Sequence, residues 1–273
     1  MRGEFLDIGG VRLYGYAAGP RGDRPPVVLL HGFPTSSHLW AEVVPLLAGR
    51  ERVLVLDLLG FGRSDCPGDR PLTVRAHADR VVALLDLLRV ERASVVGHEL
   101  GAAVALQLAL RWPARVAHLG LVSAAAFDCW PVRELKLARA MLPLTRHLPP
   151  NWLLSLLRGD LARGYGDAER GARSIGMYLR PFAGADGRAA LTAHLAALDA
   201  AEVEALTARA REVVAPSAVI WGARDPFLDA DVGRRLHAAV PGSTLHVVPD
   251  ARHFVPEEAP EQVADAVTEL LSR

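Results

Sequence analysis

Hydrophobic positions along the chain fall into two patterns. Short, mostly apolar runs at 25–30, 52–56, 93–96, 218–222 and 243–248 are rich in Val, Leu and Ile and read as strands, those at 25–30 and 93–96 as buried ones. Between them lie segments of helical period. In 73–88 the residues Val74, Ala78, Val81, Val82, Leu85 and Leu88 share one face, and 102–110 forms an apolar helix with Pro113 just beyond its end. Gly9-Gly10 marks a hairpin near the start. Alternating strand and helix predicts a mostly parallel sheet with helices on both faces. From Phe127 to about Arg209 the strand signal disappears, and helical segments are broken by Pro131, Pro143, Pro149-Pro150 and Pro181.

Candidate chemistry sits where the strands end. The 93–96 strand runs into Gly97-His98-Glu99-Leu100-Gly101, followed at once by the 102–110 helix. A Gly-x-acid-x-Gly turn between strand and helix lets the two elements approach closely and pushes its central residue into a strained backbone, at on the order of 1–3 kcal/mol. It also presents that side chain at a helix N-terminus, which favours negative charge. Upstream, the 25–30 strand enters His31-Gly32-Phe33-Pro34, and the 52–56 strand enters Asp57-Leu58-Leu59-Gly60-Phe61-Gly62-Arg63-Ser64, read as a structural loop beneath the site. Downstream, the 218–222 strand leads to Asp225, with Asp229 and Asp231 close by, and the last strand leads to His253.

These motifs, in this order, resemble the α/β-hydrolases and in particular their epoxide hydrolase and haloalkane dehalogenase branch. The resemblance spans nearly the whole chain apart from about 128–210. It implies the α/β-hydrolase fold: a mostly parallel eight-stranded sheet flanked by helices, with a helical cap inserted after the sixth strand. The core would comprise 1–126 and 211–273, and the cap 127–210. It implies a catalytic set of Glu99, Asp225 and His253, in the family's chain order of nucleophile, acid and histidine. Asp128 lies near an alternative acid position that some relatives use. The backbone N–H groups of Phe33 and Leu100 would form the oxyanion hole. His31, Tyr165, Tyr178, Trp130 and Trp152 would contact substrate, with Tyr165 or Tyr178 as the acid serving the leaving group. His98 is expected to pack. The departure is Glu99 itself, where the family usually has Ser, Asp or Cys.

Composition narrows the partners. Lys+Arg and Asp+Glu both number 31, so the formal net charge is zero, and nothing points to nucleic acid or an anionic membrane. Cys66 and Cys129 make neither a disulfide framework nor a metal motif, so no metal or cofactor is expected. No run is long enough to span a membrane and Met1 to Gly10 has no apolar signal core, so the expected setting is the cytoplasm. The expected partner is a small apolar molecule bound by a monomer or homodimer.

A carboxylate nucleophile restricts the electrophile. Attack on an ester carbonyl would give an anhydride, whereas attack on saturated carbon gives an alkyl ester stable enough to be an intermediate. A neighbouring histidine can then activate water to hydrolyse it. Position 100 is not Trp and positions 100 and 103 are not Arg, so the halide-binding devices of dehalogenases are missing there, and epoxide hydrolysis leads. Glutamate moves the carboxylate by about 1.5 Å relative to aspartate, a shift that can cost about 10²-fold in rate without a reshaped pocket. Three other readings of Glu99 stay open: general base of a cyclase, lyase or isomerase, remnant in a ligand-binding protein, and replacement for an Asp or Ser.

Overall fold

The computed structural model describes residues 3–147 and 151–273, without the side chains of 145–147. Pro149 and Pro150, expected to break a helix, lie outside the described residues. The strands are β1 (Glu4–Asp7), β2 (Arg12–Ala18), β3 (Val27–Leu30), β4 (Val53–Leu56), β5 (Ala93–His98), β6 (Val116–Val122), β7 (Ser217–Gly222) and β8 (Thr244–Val248). They form one eight-stranded sheet in the order β1-β2-β4-β3-β5-β6-β7-β8. Strand β2 pairs antiparallel with β1 and β4, while β3 to β8 pair in parallel. Every residue of β3, β4, β5 and β7 is buried, because helices cover both faces of the central sheet. At the edge, β8 is half-buried over most of its length.

This order places four strand ends beside one another at the carboxyl edge, where open α/β sheets bind ligands. Phe33 follows β3, Glu99 follows β5, Asp225 follows β7 and His253 follows β8. The Asp57 loop after β4 holds this edge rigid. Its carboxylate accepts the N–H of Ser37 at 2.6 Å and of Arg63 at 2.9 Å, and the Ser64 hydroxyl donates to its carbonyl at 2.6 Å. That is the structural role expected for the loop.

Between β6 and β7 the described residues form helices and turns, the helices being Arg133–Ala140, Trp152–Ala162, Ala168–Leu179, Ala185–Ala197 and Ala200–Ala208. Two carboxylates fasten this insertion to the sheet's own layers. Glu202 accepts the first free N–H groups of the helix Val74–Leu87, from Val74 at 3.0 Å and Arg75 at 2.9 Å. Glu257, buried on the core side, receives the hydroxyls of Tyr165, Ser174 and Tyr178 from the insertion. Among the described residues, no helix is long and apolar enough to cross a membrane.

The turn after β5 tolerates no added atom. A β-carbon at Gly97 would lie 2.1 Å from the carbonyl oxygen of Gly101. Gly97→Ala is therefore expected to destabilise by about 2–3 kcal/mol. Gly176→Ala, on a helix with nothing within 4 Å of the new carbon, is expected to stabilise by about 0.5–1 kcal/mol. Urea unfolding midpoints check both signs, and equal shifts would contradict the packing described.

Candidate active site

Glu99 stands at the β5–helix turn with φ of 50°, in the left-handed region that a side chain occupies only when its surroundings hold it there. The side chain is buried, and its two oxygens have different partners. Oε2 accepts the N–H of Phe33 at 2.8 Å and that of Leu100 at 2.6 Å. Oε1 accepts the indole N–H of Trp130. The two backbone donors expected to hold a developing oxyanion therefore already hold one oxygen of the glutamate. Gly32 supplies room for the Glu99 side chain, since a β-carbon there would lie 2.6 Å from Oε2 and 2.7 Å from the Glu99 Cβ.

His253 reaches the same cavity from the last loop. Its Nδ1 lies 2.8 Å from Asp225 Oδ2, and Asp225 Oδ1 accepts the N–H of Phe227 at 2.9 Å and of Leu228 at 3.0 Å. An ionised carboxylate only accepts, so the ring proton sits on Nδ1 and leaves Nε2 as the base. Two backbone contacts fix the loop: His98 Nε2 donates to the His253 carbonyl at 3.0 Å, and the His253 N–H donates to Gly164 at 3.2 Å. His98 packs as expected, its ring 4.8 Å from that of His253, and it also anchors the backbone beside it. Of the competing acids, Asp229 caps the helix Ala230–Ala239, Asp231 pairs with Arg234, and Asp128 lies on the surface near Arg235.

The cavity is lined by Glu99, His253, Phe33 and Trp130 together with Leu135, Leu157, Asp160 and other mostly apolar residues. Its free volume is about 30 Å³, room for one or two waters. Burial raises the Glu99 carboxyl above its ordinary range, against the Phe33 and Leu100 N–H groups and the His253 charge, which favour ionisation. Burial disfavours a charged His253, but the charge and hydrogen bond of Asp225, then the charges of Glu99 and Asp160, outweigh it and raise its pKa.

The structure thus brings together Glu99, Asp225, His253, Phe33, Leu100 and Trp130. Four other expected residues lie elsewhere. His31 is buried beside the turn, where Nε2 accepts the N–H of Leu58 at 3.0 Å and Nδ1 donates to Gly32 at 2.9 Å, so its role is to hold backbone rather than substrate. Tyr165 and Tyr178 do not line the cavity. A buried carboxylate needs donors, and both hydroxyls are committed to Glu257, Tyr165 at 2.9 Å. Burial first, then the charge of Glu257, raises the pKa of both phenols. Trp152 is half-buried and outside the cavity lining. Among the described residues, no group of three His, Cys, Asp or Glu could hold a metal ion.

A family model described as the alpha/beta hydrolase fold matches residues 25–260. The chain belongs to the α/β-hydrolase fold family. Haloalkane dehalogenase 2 of Mycobacterium tuberculosis is 30% identical over 91% of this chain and 88% of its own. A 2-hydroxy-6-oxononadienedioate/2-hydroxy-6-oxononatrienedioate hydrolase of Klebsiella pneumoniae is 28% identical over 90% of this chain and 87% of its own. Among solved structures, the enol-lactonase from Burkholderia xenovorans LB400 superposes with a TM-score of 0.84 at 25% identity, covering 99% of this chain and 100% of that one. A hydrolase on this fold is what these relatives support.

Glu99 and His253 are coupled by charge, which gives a signed prediction. Glu99→Gln removes one of the charges that raise the His253 imidazole, so its NMR-monitored pKa should fall relative to the parent. An unchanged titration would contradict a shared cavity. In the parent the raised folded pKa means that the stabilisation from pairing with Asp225 is complete below the ordinary 6.5 and fades as pH rises through the folded value.

Proposed function

We propose that the chain is an epoxide hydrolase-like enzyme that acts on a small apolar substrate through a covalent ester on Glu99. The division of labour between the two carboxylate oxygens carries this reading. Oε2 rests between the Phe33 and Leu100 N–H groups, where the carbonyl oxygen of a glutamyl ester must lie if those donors are to stabilise its hydrolysis. Oε1, held only by the Trp130 indole N–H, is the oxygen assigned to attack.

The chemistry has two steps. Oε1 attacks a ring carbon, the carbon–oxygen bond of the epoxide breaks, and its electron pair stays on the departing oxygen, which takes up a proton. Water then loses a proton to His253 Nε2 and adds to the ester carbonyl, placing negative charge on Oε2 between its two donors. The ester bond breaks, His253 returns the proton to the leaving alkoxide, and a diol departs. Asp225 keeps His253 in the required tautomer and stabilises the imidazolium. Direct attack on a carboxylic ester substrate loses support, because the glutamate itself fills the place its oxyanion would need.

A haloalkane is the second reading. It is favoured by the relative named a haloalkane dehalogenase and by the Trp130 indole beside Glu99, a donor type that positions 100 and 103 do not provide. One experiment covers both. His253→Gln should block the second step and accumulate alkylated protein, detected by mass spectrometry. An epoxide adds its full mass and a haloalkane adds its mass less hydrogen halide. Absence of any adduct at Glu99 with either class would overturn the covalent reading in favour of general-base catalysis.

A further inference from the structure

The tyrosines expected to protonate the departing oxygen are engaged elsewhere, yet opening an unactivated epoxide requires an acid. Among the described residues, one titratable side chain besides Glu99 and His253 lines the cavity: Asp160, on the insertion helix Trp152–Ala162. We propose that Asp160 is the catalytic acid, donating its proton to the epoxide oxygen as Glu99 attacks. This assignment rests on the covalent reading above.

The surroundings of Asp160 fit that task. Its side chain is 12% exposed, and Oδ1 lies 2.9 Å from Arg163 NH1. An arginine only donates, so in the neutral acid Oδ1 is the accepting oxygen and the proton resides on Oδ2. No described residue makes a hydrogen bond to Oδ2. Arg163 is itself held by Glu134 at 2.8 Å, and its guanidinium lies 5.4 Å from the centre of the Phe227 ring. Burial, then the charge of Glu134, raises the Asp160 carboxyl against the pull of Arg163 and His253, which favours the protonated form. Asp160 and His253 sense each other's charge, as two groups facing one small space must.

The step balances. The epoxide carbon–oxygen bond breaks as the Glu99 ester bond forms, the proton moves from Asp160 Oδ2 to the new hydroxyl, and Asp160 is left as a carboxylate already paired with Arg163. Its partly exposed position lets solvent restore the proton.

The test measures the rate of adduct formation by mass spectrometry in the His253→Gln protein, with styrene oxide and 1,2-epoxybutane as probes. Adding Asp160→Asn should slow alkylation by about 10²–10⁴-fold. The His253→Gln rate should decline as pH rises through the Asp160 titration, and this limb should vanish with Asn and return with Asp160→Glu. Circular dichroism and thermal melts confirm that each variant is folded. An Asn variant that alkylates at the His253→Gln rate with the same pH profile would overturn the assignment, and a changed melting temperature alone would mark Asp160 as a structural ion pair. No adduct in His253→Gln with intact Asp160 would instead overturn the covalent reading itself, and the assignment with it.

Discussion

Everything at this site depends on one buried carboxylate held by backbone. Taking Glu99 out of water is costly, and among the described residues no arginine or lysine lines its cavity to offset the charge. Three N–H donors do so instead, two of them main-chain groups whose position the sheet and helix determine. The strained turn, with φ of 50° at Glu99, is what aims the side chain back into those donors rather than along the helix. An exposed acid at a helix start would cost less and could do none of this chemistry.

The rest of the molecule keeps that arrangement in register. Gly32 leaves space for the Glu99 side chain, where a β-carbon would collide with its Cβ and Oε2. His98, one residue before Glu99, bonds the carbonyl of His253, linking the two loops across the sheet edge. The insertion contributes Trp130 and the apolar wall, and Glu257 ties it down through three hydroxyls. The free space suits the water of the second step. Leu135, Leu157 and Leu161 form part of its apolar wall.

The core and the four strand ends gathered at its carboxyl edge were legible because parallel βα units leave strong local signals. Apolar runs, glycines around the turn, and acids or histidines just past a strand all lie close together in the chain. The 102–110 helix was read a little short of its observed span Leu100–Arg111, since the turn residues themselves begin it. The insertion was less legible. Helical periodicity says which face is buried but not what that face meets, so Tyr165 and Tyr178 looked like substrate contacts although Glu257, some 80–90 residues away, claims them. Asp160 carried no signal at all, being one acid on an ordinary helix whose meaning comes from the cavity it faces. His31 misled because a histidine beside a catalytic loop serves substrate or backbone with the same local sequence.

The covalent role of Glu99 is the claim from which the rest follows, and isotope transfer tests it most directly. A single turnover of an epoxide in ¹⁸O-water, followed by proteolysis and mass analysis, should place the heavy oxygen in the peptide carrying Glu99, while the diol of that turnover gains oxygen from the protein. Heavy oxygen found in the diol and none in Glu99 would mean that water attacks the substrate directly, and the glutamate would then be a base rather than a nucleophile.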